Sequence, residues 1–196
     1  MSCEPNPSQA SAVPAALPAG VRLLDLTTHP DDRGDFTELF REVWDPGLTP
    51  VQWNLIHSGA NVMRGMNVHI KHTDYLVAVD GAMTLALSDL RSAAPTQGLA
   101  ATVELSADPM RAVLIPPGVA HGFFFSEPTV LVHAVDRYWD LADELGCRWD
   151  DPALGIRWPG EPAIVGDRDL ELPSLDRLLE SIAPHQSEFW PSPVSA

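Results

Sequence analysis

Short runs of strand-forming residues, separated by turn residues, recur along most of this chain. The runs are rich in β-branched and other apolar residues, and turn clusters such as Asp80-Gly81 and Pro116-Pro117-Gly118 separate them. Many short strands at regular spacing predict a β-sandwich or barrel. The predicted strands are residues 21–26, 37–43, 51–56, 62–69, 75–79, 83–87, 102–105, 112–115, 122–125 and 129–135.

The two ends of the chain differ in composition from its centre. Residues 1–19 are rich in Ala, Pro and Ser, which predicts a disordered arm. Residues 183–196 form a predicted Pro- and Ser-rich tail, in which Phe189 and Trp190 could dock on a surface. Residues 20–182 are predicted to form one domain, with a short helical segment near its C-terminal end that begins at the N-cap Ser174.

Charge and cysteine content exclude several classes of partner and compartment. The formal net charge is −15, and a negative field repels both nucleic-acid phosphates and anionic membranes. The two cysteines do not suggest a disulfide framework, which fits a reducing compartment. The chain begins without a signal-peptide pattern, and no apolar run approaches the ~18 residues that span a membrane. We therefore expect a cytoplasmic protein that binds neither nucleic acid nor membrane.

Seven segments follow one another in an order and spacing that carry a family resemblance. They include Gln52-Trp53-Asn54, Val62-Met63-Arg64-Gly65-Met66 and Gly166-Asp167-Arg168-Asp169. Together they resemble the dTDP-4-dehydrorhamnose 3,5-epimerase family across roughly residues 21–180. The resemblance implies an all-β, cupin-type jelly roll, a homodimer and a small-molecule substrate linked to dTDP. The other four segments are residues 31–38, 89–98, 115–123 and 149–159.

The residues that the family uses to hold the nucleotide are retained. The resemblance implies that Arg33 and Arg64 grip the diphosphate, a role that suits the planar guanidinium because it pairs bidentately with phosphate oxygens. The alternative is that Arg33 caps a turn and Arg64 forms a surface ion pair. The other positions implied to contact nucleotide or sugar are Glu38, Gln52, Asn54, His121 and Tyr138.

The residues that the family uses for catalysis are mostly replaced. The family reaction removes a proton next to the C4 ketone of a 4-keto-6-deoxyhexose and returns it to the other face. The resemblance places Asn67 at the basic histidine, Asp74 at the lysine that stabilises the enolate, and Val132 at the tyrosine that returns the proton. The carboxylate that orients the base is retained as Asp169. His133 follows Val132 and is expected to point to the opposite face, unless the strand register shifts.

These replacements make ordinary 3,5-epimerisation doubtful. A neutral amide cannot accept the proton, and loss of a general base typically costs about 10²–10⁴ in rate. A carboxylate at position 74 would repel the developing enolate, whose stabilisation by one donor is worth roughly 10²–10³.

The replacement residues have a pattern of their own. Asn67 and His69 share a strand face, Asp74 follows after a turn, and His121 closes a Pro-x-Gly-x-x-His motif. This order resembles the two metal motifs of metal-binding cupins, with Asn67 in place of the first histidine. His69, Asp74 and His121 would then form a triad suited to a divalent metal such as Fe, Mn, Ni or Zn. Such a cation would supply the missing positive charge, with His72 or His69 as the base.

Two metal-free alternatives stay open for the same residues. The family requires no cofactor, so His69 could simply hydrogen-bond Asp74, and the site could also have lost its chemistry. The leading hypothesis is therefore an epimerase-like isomerase that shifts a proton next to the ketone of a dTDP-4-keto-6-deoxyhexose or a related keto compound. The second is a metal-dependent cyclase, lyase or oxygenase of specialised metabolism, and the third is a non-catalytic binding homologue.

Overall fold

A computed structural model describes residues 16–44 and 46–190 as a molecule built almost entirely of β-strands. Most of the predicted arm (residues 1–15) and the end of the predicted tail (residues 191–196) lie outside the described residues. In chain order the strands are β1 (Arg22–Asp25), β2 (Thr28–Asp31), β3 (Gly34–Thr37), β4 (Gln52–Ser58), β5 (Val62–Val68), β6 (Asp74–Asp80), β7 (Ala82–Asp89), β8 (Ala100–Ser106), β9 (Arg111–Ile115), β10 (Val119–Phe125), β11 (Thr129–Val135), β12 (Leu145–Gly146) and β13 (Ile164–Val165).

The strands form two main sheets and one hairpin. The first sheet has the order β1-β9-β6-β11-β4, and the second has the order β12-β5-β10-β7-β8 with β13 beside β5. All pairs are antiparallel except the parallel pair of β13 and β5. Strands β2 and β3 pair only with each other. This arrangement confirms the predicted all-β architecture.

The main core lies between the two sheets, where alternate residues of each strand face inward. Leu76 of β6 and Leu131 of β11 come from the first sheet, while Leu85 of β7 and Phe125 of β10 come from the second. All four are buried. Because side chains alternate along a strand, residues two positions from these four also face the space between the sheets.

The C-terminal helices cover the outer face of the second sheet. Helix α1 (Asp167–Leu170) precedes α2 (Leu175–Ile182), and α3 (Gln186–Phe189) follows. The predicted cap is confirmed, because the Ser174 hydroxyl accepts the Arg177 N–H of α2. Leu178 and Ile182 pack with Met66 and Val68 of β5. No helix in residues 16–44 or 46–190 has the length and apolarity needed to cross a bilayer.

One strand predicted from the sequence, residues 37–43, is wrong beyond its first residue. Residues 38–43 are not a strand: the chain leaves the β2–β3 hairpin, and residues Glu42–Trp44 form a 3-10 helix. The Leu39 carbonyl accepts a hydrogen bond from the Tyr75 hydroxyl (2.6 Å) instead of pairing with a strand. Within the predicted tail, α3 buries Phe189, and the Arg91 guanidinium lies 5.0 Å from the centre of the Trp190 ring, so both aromatic residues contact the domain.

Strand β5 carries an irregularity that shapes the space between the sheets. Gly65 has a φ of 98°, and the register with β10 shifts between His121 and Gly122. As a result Arg64 and Asn67, three residues apart, both line the space between the sheets, while Met66 packs on the outer cluster. A Cβ at position 65 would lie 2.9 Å from the His121 carbonyl oxygen, so a glycine is required here.

Candidate active site

A cavity of about 340 Å³ lies between the two sheets and brings together residues that are far apart in the chain. Five residues predicted to belong to the site line it: Arg64, Asn67, His69, His121 and Asp169. The remaining lining residues are Ile56, Leu76, Phe123, His133, Glu144, Gly166 and Arg168.

Asp74 is the centre of the site and is almost completely buried behind the cavity wall. Four imidazoles approach its carboxylate. His133 Nε2 donates a hydrogen bond to Oδ1 at 2.7 Å, and His72 Nε2 lies 3.4 Å from the same oxygen. His69 Nε2 and His121 Nε2 lie 3.9 and 3.8 Å from Oδ2. The predicted proximity of Asp74 to His69 and His121 is therefore present in the structure.

Three of these imidazoles are fixed by hydrogen bonds at their other nitrogen. His69 Nδ1 donates to the Asp143 carbonyl (3.0 Å), and His72 Nδ1 donates to the Asp143 carboxylate (2.9 Å). His121 Nδ1 donates to the Val119 carbonyl (3.3 Å). The rings of His69 and His72 also stack, with centroids 3.8 Å apart. The Nε2 atoms are consequently directed at Asp74.

Burial and charge set the protonation of this cluster. Burial opposes ionisation of Asp74, but the charges of His69 and His121 and the hydrogen bonds from His133 and His72 hold its pKa well below the usual value. Burial also opposes the charge on His72, yet its hydrogen bonds to Asp143 and Asp74 raise the pKa of His72 to about 10. Burial lowers the pKa of His121 to about 4. At neutral pH, Asp74 is a carboxylate, His72 a cation and His121 neutral.

His133 faces the cavity, which corrects the expectation that it points away. Leu131 and His133 lie on the inner face of β11, whereas Val132 and Ala134 lie on the outer face of the first sheet. The strand alternates regularly, but its pairing with β6 shifts between Val130 and Leu131. Since both faces of β11 carry apolar residues, the hydrophobic pattern does not distinguish them.

Asn67 and Asp169 belong to a hydrogen-bonded group on another part of the cavity wall. Arg168 Nη1 donates to Asn67 Oδ1 (2.8 Å) and to Asp169 Oδ1 (3.0 Å), while the Gly65 N–H donates to Asp169 Oδ2 (2.9 Å). Asp169 therefore has cationic and backbone partners in place of an imidazole. Because Arg168 occupies the Asn67 carbonyl, the Asn67 amide NH₂ is the group left to donate to a ligand.

Gln52 and Asn54 form a polar chain that leads to His133. Gln52 Nε2 donates to Asn54 Oδ1 (2.9 Å), and Asn54 Nδ2 lies 3.5 Å from His133 Nδ1. On β5, the Arg64 Nε donates to the Ser58 hydroxyl (2.9 Å), which holds the guanidinium at the cavity. These three predicted binding residues are thus at or beside the site.

Four other predicted residues are not on the cavity wall. Arg33 lies on the β2–β3 hairpin, where its exposed side chain pairs with Asp31 (2.6 Å). Glu38 lines a different cavity of about 500 Å³ beside β1. Tyr138 is 76% exposed, and His72 stands behind His69, with both ring nitrogens facing carboxylates. Within one protomer, these four residues do not contact a ligand in the cavity.

Sequence reasoning missed Asp143 and gave no role to Glu144 or Arg168. Asp143 lies in a 3-10 helix, and its carboxylate accepts the backbone N–H groups of Ile70 (2.7 Å) and Lys71 (3.2 Å) besides the His72 contact. No local motif marks it, because its partners are about seventy residues away. Arg168 carried a signal, since it lies inside the Gly166-Asp167-Arg168-Asp169 segment.

Some of the cluster has the spacing of metal ligands. His69, His72 and Asp74 each offer one ligand atom, and these atoms lie within 4.8 Å of one another. Imidazole nitrogens with a carboxylate oxygen are a donor set that suits first-row divalent metals. The donor chemistry therefore fits such an ion.

Comparison with known proteins gives the family. The model of the dTDP-4-dehydrorhamnose 3,5-epimerase family matches residues 16–177. The enzyme of that name from Sinorhizobium fredii is 30% identical over 171 residues, which cover 82% of this chain and 87% of that protein. The family-model match includes every residue that lines the cavity.

Two solved structures are similar in fold and sequence. The Bacillus anthracis dTDP-4-dehydrorhamnose 3,5-epimerase with TDP and PPi bound has a TM-score of 0.73 at 34% identity, covering 79% of this chain and 94% of that one. A double mutant of ChmJ, a 3'-monoepimerase from Streptomyces bikiniensis in complex with dTDP, has a TM-score of 0.75 at 29% identity, covering 85% and 87%. These similarities confirm the cupin-type fold. The chain belongs to the dTDP-4-dehydrorhamnose 3,5-epimerase family, whose members are isomerases.

Proposed function

We propose that this protein is an epimerase-like isomerase that shifts a proton next to the ketone of a dTDP-4-keto-6-deoxyhexose or a closely related keto compound. The observation that carries the proposal is the short His133–Asp74 hydrogen bond (2.7 Å) at the wall of a cavity that also holds Arg64 and Arg168. The His133–Asp74 pair can exchange a proton with the substrate. Arg64 can bind phosphate, and Arg168 can stabilise an oxyanion.

His133 is the proton-transfer group in this proposal. The buried Asp74 carboxylate accepts the hydrogen of Nε2, so Nδ1 is the ring nitrogen with a lone pair. Its contact with Asn54 Nδ2 is long (3.5 Å), and a substrate that displaces this amide would place its carbon-bound proton at Nδ1. The carboxylate also stabilises the imidazolium that forms. This pair performs the work of the family's histidine–carboxylate pair from a different strand, β11 instead of β5.

Asn67 and Arg168 are suited to hold the ketone oxygen. Arg168 Nη1 donates to the side-chain oxygen of Asn67 at 2.8 Å. The NH₂ group of the same amide has no partner among the described residues, so it can donate to a ligand. Donors placed where negative charge develops stabilise an enolate more than the starting ketone, and each is worth roughly 10²–10³ in rate. The replacement of the family's base by Asn67 thus converts a proton acceptor into a hydrogen-bond donor.

Nucleotide binding is supported by Arg64 and by the relatives. Arg64 is fixed by Ser58 and faces the cavity, where its guanidinium can pair with a diphosphate. The ChmJ variant in complex with dTDP carries a histidine-to-asparagine and a tyrosine-to-phenylalanine change, so in that protein such losses are compatible with nucleotide binding.

The test is proton NMR of dTDP-4-keto-6-deoxyglucose in D₂O with the purified protein, with and without EDTA. We expect deuterium to appear next to the ketone, because His133 removes a carbon-bound proton that solvent then replaces. Isothermal titration with dTDP gives the binding step separately. Absence of exchange together with absence of dTDP binding at millimolar concentration would refute the proposal. Binding without exchange would instead identify a non-catalytic homologue.

We also propose that the active form of the protein is a homodimer. Strand β4 is the edge of the first sheet, and it exposes Trp53 and Leu55. Exposed apolar groups on an edge strand are typical of an interface. A second copy on this face would cover them and could bring its own Arg33 and Glu38 towards the cavity. Light scattering of the eluting protein should give twice the chain mass of 21.3 kDa, and a mass of one chain would contradict the dimer.

The histidine cluster favours one second candidate, a metal-dependent enzyme acting on a non-nucleotide metabolite. The four imidazoles around Asp74 are more than a proton shift requires. The two candidates differ in their ligand: the second predicts that dTDP does not bind.

A further inference from the structure

The imidazoles around Asp74 converge through the same ring nitrogen. His72 Nε2 lies 3.4 Å from Oδ1 of Asp74, and the Nε2 atoms of His69 and His121 lie 3.9 and 3.8 Å from Oδ2. Ligands about 2.1 Å from a metal in tetrahedral or octahedral geometry are about 3.0–3.4 Å from their neighbours. The His72 spacing lies within this range, and the His69 and His121 spacings exceed it by about 0.5 Å. The ligand atoms of His69, His72 and Asp74 already lie within 4.8 Å of one another, and His121 would complete the shell after a larger inward movement.

The far nitrogen of each ring is already held in the way that metal-binding histidines require. His69 donates Nδ1–H to the Asp143 carbonyl, and His121 donates Nδ1–H to the Val119 carbonyl. His72 donates Nδ1–H to the Asp143 carboxylate. Hydrogen bonds of this kind fix the tautomer that leaves Nε2 as the ligand atom, and they raise its basicity. His72, a cation in the metal-free site, would release its Nε2 proton when the metal binds.

These contacts leave acceptors facing one another. A carbonyl oxygen only accepts, so Nδ1 carries the hydrogen in His69 and His121, and the Nε2 of a neutral ring carries a lone pair. In the part of the chain that the structure describes, neither of these Nε2 atoms has a hydrogen-bond partner, and both face the Oδ2 of Asp74. A cation bound between the two Nε2 lone pairs and Oδ2 of Asp74 would remove the repulsion between these acceptors, because each would become a ligand.

We propose that His69, His72, His121 and Asp74 bind one first-row divalent transition-metal ion, such as Fe, Mn, Ni or Zn. Three imidazole nitrogens and one carboxylate oxygen suit this class of metal. The Cys147 thiol lies in the cluster on the outer face of the second sheet, so no thiolate joins the set. His133 stays outside the ligand set as the hydrogen-bond donor to Oδ1 of Asp74.

The metal site occupies the same cavity as the proposed isomerase and adds a component to it. His69 and His121 line the cavity, which gives the ion a route of entry and brings it close to a bound ketone. A divalent cation there would act as a Lewis acid and supply the positive charge that the family's lysine, replaced here by Asp74, provides in relatives. Binding of the metal is nevertheless measurable without any substrate.

The experiment is titration of untagged, EDTA-stripped protein with Co²⁺, followed by visible absorption, with metal content measured by mass spectrometry after desalting. We expect one Co²⁺ per chain with d–d bands of an imidazole–carboxylate site. His121→Gln and His69→Gln should weaken binding by at least about 100-fold, since even the loss of an outer-shell partner costs 10–100-fold. His185→Gln is the matched control: this imidazole lies at the surface against Glu188, and its loss should leave the affinity unchanged.

Wild-type protein that takes up no Co²⁺, or that binds it equally after the His121 and His69 substitutions, would overturn the proposal. Because the wild-type titration is decisive, the result stands even if a variant folds poorly, which circular dichroism would show. Co²⁺ should also raise the melting temperature of wild-type protein but not of His121→Gln. Deuterium exchange by protein that binds no metal would refute the metal site and leave the isomerase standing. Metal binding without deuterium exchange would refute the isomerase and leave the metal site standing.

Discussion

Replacing His133 with glutamine is expected to lower the rate of deuterium incorporation into the keto sugar by about 10²–10⁴, the usual range for loss of a general base. Glutamine can still donate to Asp74 Oδ1, as His133 Nε2 does at 2.7 Å, so the cavity wall should remain packed. The amide cannot accept a proton from carbon. The affinity for dTDP should change by less than a few-fold, because Arg64, the proposed diphosphate ligand, is untouched.

The matched control is His185→Gln. This imidazole lies at the surface against Glu188, away from the cavity and from β4, so the exchange rate should stay at the wild-type value. Exchange that persists in His133→Gln would place the base elsewhere, with His69 as the next imidazole on the cavity wall. A parallel loss of exchange and dTDP affinity would instead indicate that His133 only supports the pocket.

The sequence was a reliable guide where the local pattern and the tertiary environment agree. Strands such as β6 and β7 have continuous apolar runs between turn residues, and they lie buried in the middle of their sheets. Residues 38–43 include Leu39, Phe40 and Val43 but are interrupted by charged residues, and they pair with no strand among the described residues. Propensity alone does not report the presence of such a partner.

In the candidate site, too, the sequence predicted only those features that a local pattern determines. The spacing of Asn67 and His69 on β5 predicted their shared face, and Asp74 and His121 join them as the motif order indicated. The orientation of His133 could not be obtained in this way, because apolar residues occupy both faces of β11 and the hydrophobic pattern is silent about which face is inward. The family resemblance predicted Val132 at the site, and the structure places the next residue, His133, there.

Asp74 connects the predicted and the unpredicted parts of the site. The family resemblance predicts a cation at this position, and the structure has an anion that is surrounded by imidazoles from both sheets. The charges of His69 and His121 and the hydrogen bonds of His133 and His72 offset the desolvation of the carboxylate. These histidines come from distant positions in the chain, so a motif that follows one strand does not reveal them.

Replacing Asp143 with alanine should lower the free energy of unfolding by about 3–5 kcal/mol, the range for breaking a buried ion pair by removing one partner. Its carboxylate accepts the Ile70 and Lys71 backbone N–H groups at 2.7 and 3.2 Å and the His72 Nδ1–H at 2.9 Å. Alanine would leave two backbone donors and a buried cationic imidazole without this acceptor. Urea denaturation in EDTA, which prevents any contribution from metal, measures the change.

The control for that loss lies in the same 3-10 helix. Asp140 caps it by accepting the Ala142 N–H at 3.0 Å, but its side chain is exposed, so Asp140→Ala should cost only about 1 kcal/mol. Asp143→Asn should fall between the two, because an amide oxygen still accepts from Ile70 while the charge opposite His72 is gone. Equal costs for Asp143→Ala and Asp140→Ala would contradict the view that Asp143 holds the histidine cluster, since a cap alone would then explain both. A large loss specific to Asp143 would mean that its carboxylate anchors His72 and the backbone of residues 70–71, a role that no sequence motif marks.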